Sequence, residues 1–253
     1  MTELIAKDLS YSVQGTTLVK SANFQLAQGD FIALLGPNGA GKTSLIRTSL
    51  GLEKPMTGSA TLEGKRTDQI SPIERARQIA YLPQIRPLAW PNTVRDIVAL
   101  GRFSHGATLG RLKGKDADAV ERAIIACDLS HLANRSADTL SGGELARMHC
   151  ARAFAAQAPL LVADEPTAAL DPRHQFRILD LIANFVNEGG GALVVLHDIQ
   201  LAARYASRLI WMKDGAIVAD GSPEETLTAE RLHDVHGVTA KVDGLNIRLE
   251  GPA

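Results

Sequence analysis

The chain has 253 residues, of which 45% are hydrophobic and 22% are charged, a composition typical of a folded globular protein and not of a disordered one. Its formal net charge of -1 supplies no overall basic field, which argues against sequence-independent binding to nucleic acid. The two cysteines, Cys127 and Cys150, lack CxxC spacing, so we expect two buried thiols in a reducing cytosol and no zinc site or disulfide framework.

The N-terminus carries no targeting pattern. Its first residues, MTELIAKDLSYSV, are acidic and polar where a secretory signal needs an apolar stretch. No run of about 18 apolar residues follows anywhere in the sequence, so we expect any work at a membrane to depend on other subunits. Tyr11, in an early predicted strand, is a candidate to stack on a purine base, and an ordinary half-buried strand tyrosine is the alternative interpretation.

Residues 31–52, FIALLGPNGAGKTSLIRTSLGL, predict a buried strand, a glycine-rich turn and a helix. The turn fits the phosphate-loop pattern GxxxxGK[ST] in the structural context that the pattern requires. Backbone N–H groups of such a loop surround phosphates, the lysine reaches the β- and γ-phosphates, and the threonine holds Mg²⁺. The predicted phosphate site consists of Gly36, Pro37, Asn38, Gly39, Ala40, Gly41, Lys42, Thr43 and the following Ser44.

Gln84 ends a short predicted strand in YLPQIRP, and from there to about Phe154 the sequence predicts a helical insert. The segment Thr93-Val94-Arg95-Asp96 resembles a capping box at the start of a helix. The amide of Gln84 is a candidate to reach a metal or an attacking water and to link the site to the insert. Trp90 has two equal interpretations, an anchor for a membrane subunit or a side chain that closes the core of the insert.

Residues 140–144, LSGGE, form a second candidate anion-binding site. Ser141 predicts a helix N-cap, and Gly142 and Gly143 allow backbone N–H groups to face a ligand ahead of a helical run. A chain that already has one phosphate loop has no obvious need for a second anion seat. The residues alone leave open why one chain carries both sites.

Two further apolar strands end in polar side chains. Leu160-Leu161-Val162-Ala163 precedes Asp164 and Glu165, and ALVVL precedes His197. Asp164 is a candidate to bind magnesium and Glu165 to polarise a water for in-line attack on a γ-phosphate. A turn or helix cap is the alternative for the acidic pair, and an ordinary polar residue is the alternative for His197.

Buried strands that alternate with helices predict an α/β protein with a mostly parallel sheet. After Gly221 the tail opens with SPEE, which predicts a helix start, continues as TAERLHDVHG with a second helical stretch, and ends in the weakly alternating KVDGLNIRLE. His233 and His236 lie three residues apart on this predicted helix. A metal site is one interpretation, and we favour a solvated tail helix.

Together these motifs resemble, in order and spacing and across nearly the whole length, the ATP-binding cassette of an ABC transporter. The resemblance implies a P-loop NTPase fold with a RecA-like core, an antiparallel β part near the N-terminus and an inserted helical subdomain. It places the catalytic core at 1–84 and 156–220, the helical subdomain with its signature motif at 85–155, and a C-terminal tail at 221–253.

The resemblance also implies residue roles in ATP hydrolysis. It assigns the catalytic set Lys42, Gln84, Glu165 and His197, the Mg²⁺ ligands Thr43, Gln84 and Asp164, and the adenine-stacking Tyr11. In this family two subunits pair head to tail, so that the signature of one caps the γ-phosphate held by the loop of the other. That signature corresponds to Leu140, Ser141, Gly142, Gly143 and Glu144, and the D-loop to Ala169, Leu170 and Asp171.

The implied partners are a second copy of the chain, integral membrane permease subunits and, indirectly, a solute-binding protein, at the cytoplasmic face of the inner membrane. The stretches TVRDIVALGRFSH and SPEETLTAERL resemble cassettes of importers for iron–siderophore complexes, heme and cobalamin. We expect a ferric siderophore first and heme or cobalamin next, with oxyanions such as molybdate still open. A soluble ABC ATPase without a transport role, such as one for iron–sulfur cluster assembly, is the alternative.

Two positions depart from the usual family pattern. Glu144 stands where glutamine is commonest, and Ala163 replaces a larger aliphatic residue before Asp164. The first departure puts local hydrogen bonding in question. The second has no evident catalytic meaning.

Overall fold

The computed structural model describes residues 1–84, 92–108 and 110–253. Its contacts group into two units, the first made of Met1–Ile70 with Gly191–Ala253 and the second of Ser71–Gly190. This grouping differs from the predicted core, insert and tail. That functional division stays a prediction.

An antiparallel sheet occupies the N-terminal part of the first unit, as the resemblance implies. Its strands lie in the order β2-β1-β4-β5. They are β1 (Glu3–Val13), β2 (Thr16–Ala27), β4 (Thr57–Leu62) and β5 (Lys65–Arg66). Alternate residues of β2, such as Ala22, Phe24 and Leu26, are buried, because successive side chains of a strand point to opposite faces.

Four more strands of the first unit lie in the order β10-β9-β3-β8. They are β3 (Phe31–Leu35), β8 (Gly191–Val195), β9 (Arg208–Lys213) and β10 (Ala216–Gly221). Strand β3 pairs in parallel with β8 and β9, and β10 pairs antiparallel with β9. Every residue of β3 and β8 is buried, which explains their continuous apolar sequences. Helices α1 (Lys42–Ser49) and α7 (Ile199–Tyr205) follow β3 and β8.

The C-terminal tail comprises α8 (Pro223–Thr226), α9 (Ala229–His236), β11 (Val238–Asp243) and β12 (Asn246–Pro252). The predicted helix start at SPEE is correct, since Ser222 and Glu225 form a capping box. The prediction of a solvated tail helix holds for the exposed side that carries His233, but it is wrong for the opposite side. Leu232 and Val235 of α9 are buried, and the His236 ring packs edge-on against Trp211 at a centroid distance of 6.0 Å.

The second unit combines a parallel strand pair with helices. Its elements are α2 (Pro72–Gln78), β6 (Ile79–Leu82), α3 (Val94–Ala99), α4 (Lys115–Ala126), α5 (Gly142–Ala155), β7 (Leu160–Ala163), α6 (Pro172–Asn187) and 3-10 turns at Leu100–His105, Ser130–Leu132 and Ala137–Thr139. Strands β6 and β7 pair in parallel. Helices α3, α4 and α5 pack on one another, as a helical insert predicts.

The predicted helix N-cap at Thr93 is correct, although Asp96 bonds the Thr93 hydroxyl and does not complete a capping box. The hydroxyl of Thr93 accepts a hydrogen bond from the backbone N–H of Asp96 at 3.2 Å and donates to its carboxylate at 2.6 Å. Helix α3 therefore begins where the sequence predicted. The two interpretations of Trp90 lie outside the described residues.

Both cysteines are buried and free, as predicted. Burial in apolar surroundings, together with the neighbouring Cys150, raises the pKa of the Cys127 thiol far above its usual range. Among the helices of the described ranges, none is long and apolar enough to cross a membrane.

Gly101, in the 3-10 turn before α4, provides a test of the helical packing. A Cβ at this position would lie 2.2 Å from the carbonyl oxygen of Arg152. Gly101→Ala must therefore displace backbone, and we expect it to lower the free energy of unfolding by about 1–3 kcal/mol in urea titrations. Gly251→Ala is the matched control, because a Cβ there meets no atom within 4 Å, and it should change stability by less than about 0.5 kcal/mol. Equal stability of the two variants would contradict the packing.

Candidate functional site

The phosphate loop follows β3 and leads into α1, in the first unit. Gly36 and Gly41 adopt positive φ angles of 150° and 97°. A Cβ would lie 2.3 Å from the Met212 carbonyl oxygen at Gly36 and 2.2 Å from the Leu18 carbonyl oxygen at Gly41. Glycine is required at both positions, because neighbouring backbone occupies the space of any side chain.

Lys42 is held inside the loop. Its Nζ donates to the carbonyl oxygens of Gly36 at 2.8 Å and Pro37 at 3.0 Å, and the residue is only 6% exposed. These bonds place a positive charge among backbone groups at the start of a helix. Such an arrangement suits a phosphate ligand.

The other loop residues provide an accessible surface around this charge. Asn38, Gly39 and Thr43 are exposed, Ser44 is half-buried, and Ala40 is buried. The Ala40 N–H donates to the Pro37 carbonyl at 3.2 Å, which tightens the turn. The loop thus has the form that the sequence predicted.

His197 lies at the same sheet edge as the phosphate loop. Strand β3 pairs in parallel with β8, and the Leu196 N–H donates to the Leu34 carbonyl at 3.3 Å. Both strands therefore end together, with the loop after one and the exposed His197 after the other. The structure brings these two predicted features to one edge, the position at which open α/β sheets bind ligands.

Tyr11 lies on β1, where its hydroxyl donates to Glu53 at 3.2 Å. Arg47 donates to the same carboxylate at 2.6 Å. This bond from Arg47 lowers the pKa of Glu53, whereas partial burial and the bond to Glu53 raise the pKa of Tyr11. The hydrogen bond to Glu53 therefore holds the hydroxyl end of the Tyr11 side chain in place. Its stacking on a purine stays a prediction.

In the second unit, Gln84 and Glu165 lie at the carboxyl ends of the parallel strands β6 and β7. The Asp164 N–H donates to the Leu82 carbonyl at 2.8 Å, which extends the pairing by one residue. The Gln84 amide then donates to the Glu165 carboxylate at 2.7 Å. Glu165 has a φ of 49°, a left-handed conformation that costs a non-glycine residue roughly 1–3 kcal/mol and is typical of functional positions.

Asp164 is fully buried, in contrast to its neighbour. The two adjacent carboxylates therefore have different surroundings, as alternation along a strand predicts. Ala163 before them is also fully buried. The small side chain at this position is part of the core.

The signature begins α5 through a capping box. The Glu144 carboxylate accepts from the backbone N–H and the hydroxyl of Ser141, at 2.8 and 2.9 Å, while the Glu144 N–H donates to the Ser141 oxygen at 3.4 Å. These bonds lower the pKa of Glu144. Glutamate at the fifth signature position thus has a structural role, because it satisfies the first turn of the helix. Leu140, before the cap, is half-buried.

The D-loop precedes α6. Ala169 has a φ of 59°, another left-handed non-glycine residue. The Asp171 carboxylate caps α6, accepting from the His174 N–H at 3.0 Å. Hydrogen bonds from the backbone and the ring of His174 lower the pKa of Asp171.

Two residues at these sites escaped the sequence prediction. Glu53 lies 42 residues from Tyr11, and no local sequence pattern predicts the hydrogen bond between them. His174 stands three residues after Asp171, a spacing that predicts a bond of its backbone N–H to the cap. The position of its ring has no sequence signal. Over the described ranges, no group of three or more His, Cys, Asp or Glu side chains could hold a metal ion.

Comparison with known proteins identifies the family. Residues 19–168, more than half of the chain, match the family described as ABC transporter. The hemin import ATP-binding protein HmuV of Nocardia farcinica is 41% identical over 219 residues, covering 87% of this chain and 75% of the relative. The ferric enterobactin transport ATP-binding protein FepC of Escherichia coli is 36% identical over 247 residues, covering 96% and 91%.

Solved structures agree with this assignment. A transporter assigned to the metal-chelate ABC type, in an inward-facing conformation, has a TM-score of 0.82 at 25% identity, covering 99% of this chain and 96% of the other. A dimeric bacterial ABC transporter cassette has a TM-score of 0.73 at 27% identity, covering 87% and 98%. The α/β cassette fold, with its antiparallel N-terminal sheet, is confirmed. The chain therefore belongs to the ABC transporter family and is one of its ATP-hydrolysing subunits.

Proposed function

We propose that two copies of this chain hydrolyse ATP to power a membrane permease that imports an iron chelate. The observation that carries the catalytic part is the hydrogen bond of 2.7 Å between the Gln84 amide and the Glu165 carboxylate. It fixes the orientation of a carboxylate at the end of a buried strand. A general base needs such positioning.

In the proposed reaction, Glu165 accepts a proton from a water molecule. The water oxygen forms a bond to the γ-phosphorus, the bond from that phosphorus to the β–γ bridging oxygen breaks, and ADP leaves. Lys42 stabilises the charge on the transferred phosphoryl group. His197 lies at the sheet edge that also carries the phosphate loop, and it contributes a hydrogen bond to the γ-phosphate.

Magnesium is the metal that fits the assigned ligands. Thr43 offers a hydroxyl, Gln84 an amide oxygen and Asp164 a carboxylate, all hard oxygen donors of the kind that Mg²⁺ prefers. When bound with ATP, Mg²⁺ neutralises charge on the phosphates. The residues themselves hold and orient the nucleotide.

The second anion seat explains the need for a dimer. Gly142 is exposed at the first turn of α5, and a Cβ there would meet no atom within 4 Å. The backbone at Gly142 is therefore accessible to a phosphate, whereas Gly143 is buried and the Glu144 N–H is bonded to Ser141. We assign this exposed backbone to the γ-phosphate held by the partner copy, so that each chain supplies half of two sites.

A groove on the second unit supports docking to the permease. Its volume is about 360 Å³, and it lies among α2, the start of β6, the 3-10 turn at Leu100–His105 and the end of α5. Phe103 and Ile73 line it with 71% and 52% of their surface exposed. An apolar groove with an exposed aromatic residue suits a short amphipathic helix of a partner. We place this partner in the permease, at the cytoplasmic face of the inner membrane, with Gln84 as the hinge that senses it.

The cargo is assigned by its shared chemistry, an iron chelate. The relatives include an ATP-binding protein for hemin import and one for ferric enterobactin transport. They therefore give no reason to prefer a siderophore over heme as the cargo. A solute-binding protein would deliver the chelate to the permease. The ATPase subunit itself does not contact the cargo.

Glu165→Gln tests the catalytic assignment. The amide keeps the bond to Gln84 but cannot take a proton, so ATP turnover should fall by about a hundredfold or more. With Mg-ATP, the variant should accumulate as a dimer in light scattering. Glu230→Gln, at an exposed helical carboxylate, is the control and should retain turnover and remain monomeric. Normal ATP turnover by Glu165→Gln would exclude a role of Glu165 as the general base. If the variant stays monomeric with Mg-ATP, both alone and with the permease, the shared ATP sites are excluded.

Phe103→Ser tests the docking groove. Loss of a central aromatic contact costs about 2 kcal/mol or more, so co-purification of the permease from gently solubilised membranes should fall by roughly thirtyfold. Ile125→Ser is the matched control, since Ile125 is 59% exposed and lies outside the groove. Combined with Glu165→Gln, both variants should keep ATP-dependent dimerisation. Undiminished recovery of the permease with Phe103→Ser would place the docking site elsewhere.

The cargo is tested on the permease that co-purifies with Glu165→Gln. In vesicles with wild-type ATPase and the binding protein, a ferric siderophore or hemin should raise ATP turnover, whereas the iron-free siderophore and protoporphyrin should not. Stimulation by one chelate alone identifies the cargo. Stimulation by cobalamin or molybdate alone, or a purely soluble partner, would overturn iron-chelate import.

A further inference from the structure

The His174 ring lies between the D-loop aspartate and the signature. Its Nδ1 is 2.9 Å from each Asp171 carboxylate oxygen. Because an ionised carboxylate only accepts, Nδ1 carries the proton and donates it to this pair. The ring is thereby oriented by a residue at the start of α6.

The opposite side of the ring covers Gly143. A Cβ at Gly143 would lie 2.1 Å from Cδ2 and 2.5 Å from Nε2 of His174. The two signature glycines therefore differ in purpose. Gly142 leaves its surface open, whereas Gly143 has no side chain because an imidazole occupies that space.

We propose that His174 is a positioning residue that ties the D-loop carboxylate of Asp171 to the first turn of α5 and so fixes the backbone N–H groups that seat the partner's γ-phosphate. The inference rests on the proposed function, because it assigns the signature to the nucleotide of the second copy. Through this ring, a displacement of the D-loop moves the anion seat. The D-loop and the signature act as one rigid piece during dimer formation.

A local role in capping α6 is the competing explanation. The cap uses the backbone N–H of His174, at 3.0 Å from Asp171, and this bond does not require the imidazole. Substitution of the side chain therefore separates the two roles. His174→Ala removes the ring and leaves the cap.

The test uses the full chain with Glu165→Gln as reference, in which the ATP concentration for half-maximal dimerisation is measured by sedimentation. His174→Ala should raise that concentration about tenfold, the effect of one lost hydrogen-bonded contact. Binding of a fluorescent ATP analogue to the single subunit should stay unchanged, and the urea midpoint should fall only slightly, because the lost bond to Asp171 is largely exposed. His131→Ala, at an exposed histidine of the same unit, should dimerise like the reference.

Gly143→Ala provides the second arm. Its Cβ should displace the ring and raise the half-maximal ATP concentration by a similar factor. Once His174 is alanine, the added methyl group has no ring to displace, so the double variant should match His174→Ala alone, which is a coupling of the two positions. His174→Phe, which keeps an aromatic ring but lacks the Nδ1 donor, should also require more ATP.

The outcomes separate the inference from the proposed function. If the Glu165→Gln reference fails to dimerise with ATP, the shared-site function itself is wrong. If the reference dimerises and the alanine and phenylalanine variants at His174 match it, His174 does not position the seat. Multiplicative effects of the Gly143 and His174 substitutions would also overturn the contact, as would a matching loss in nucleotide binding by the single subunit.

Discussion

Parallel strand pairing is the constraint on which the chemistry of this chain depends. The bond pattern between β3 and β8 ends both strands at one edge, and that between β6 and β7 does the same in the second unit. Polar residues that follow the strands are thereby held by backbone bonds on buried, apolar platforms. A phosphate loop and a histidine gain fixed positions in one unit, and a glutamine and a glutamate in the other.

Close contact between the backbone and neighbouring groups is the second constraint, and glycine is required for more than one reason. At Gly36 and Gly41 a neighbouring carbonyl group excludes a side chain. At Gly143 an imidazole excludes it, whereas at Gly142 the space beside the backbone is open. Glycine-rich motifs therefore combine positions that permit a turn, positions that permit packing and positions that leave the backbone exposed. Sequence alone shows the residues without this distinction.

The features that the sequence predicted are those with local causes. The phosphate loop, the Ser141 N-cap and the start of α3 depend on residues within a few positions of one another, so their sequence patterns predict them. The Gln84–Glu165 bond joins residues 81 positions apart, and the packing of His236 on Trp211 arises from the tail folding back onto β9. Neither contact has a periodic signature. The sequence consequently predicts a solvated tail and does not reveal the pairing of Gln84 with Glu165.

The two buried thiols of the second unit have a consequence for labelling experiments. Only the thiolate reacts quickly with alkylating reagents, and burial keeps Cys127 in its protonated form while Cys150 is equally enclosed. A cysteine introduced at an exposed position would therefore be labelled selectively in the wild-type background. Paired spin labels or fluorophores could then follow the approach of two subunits in real time, without first removing the native sulfur atoms from the core.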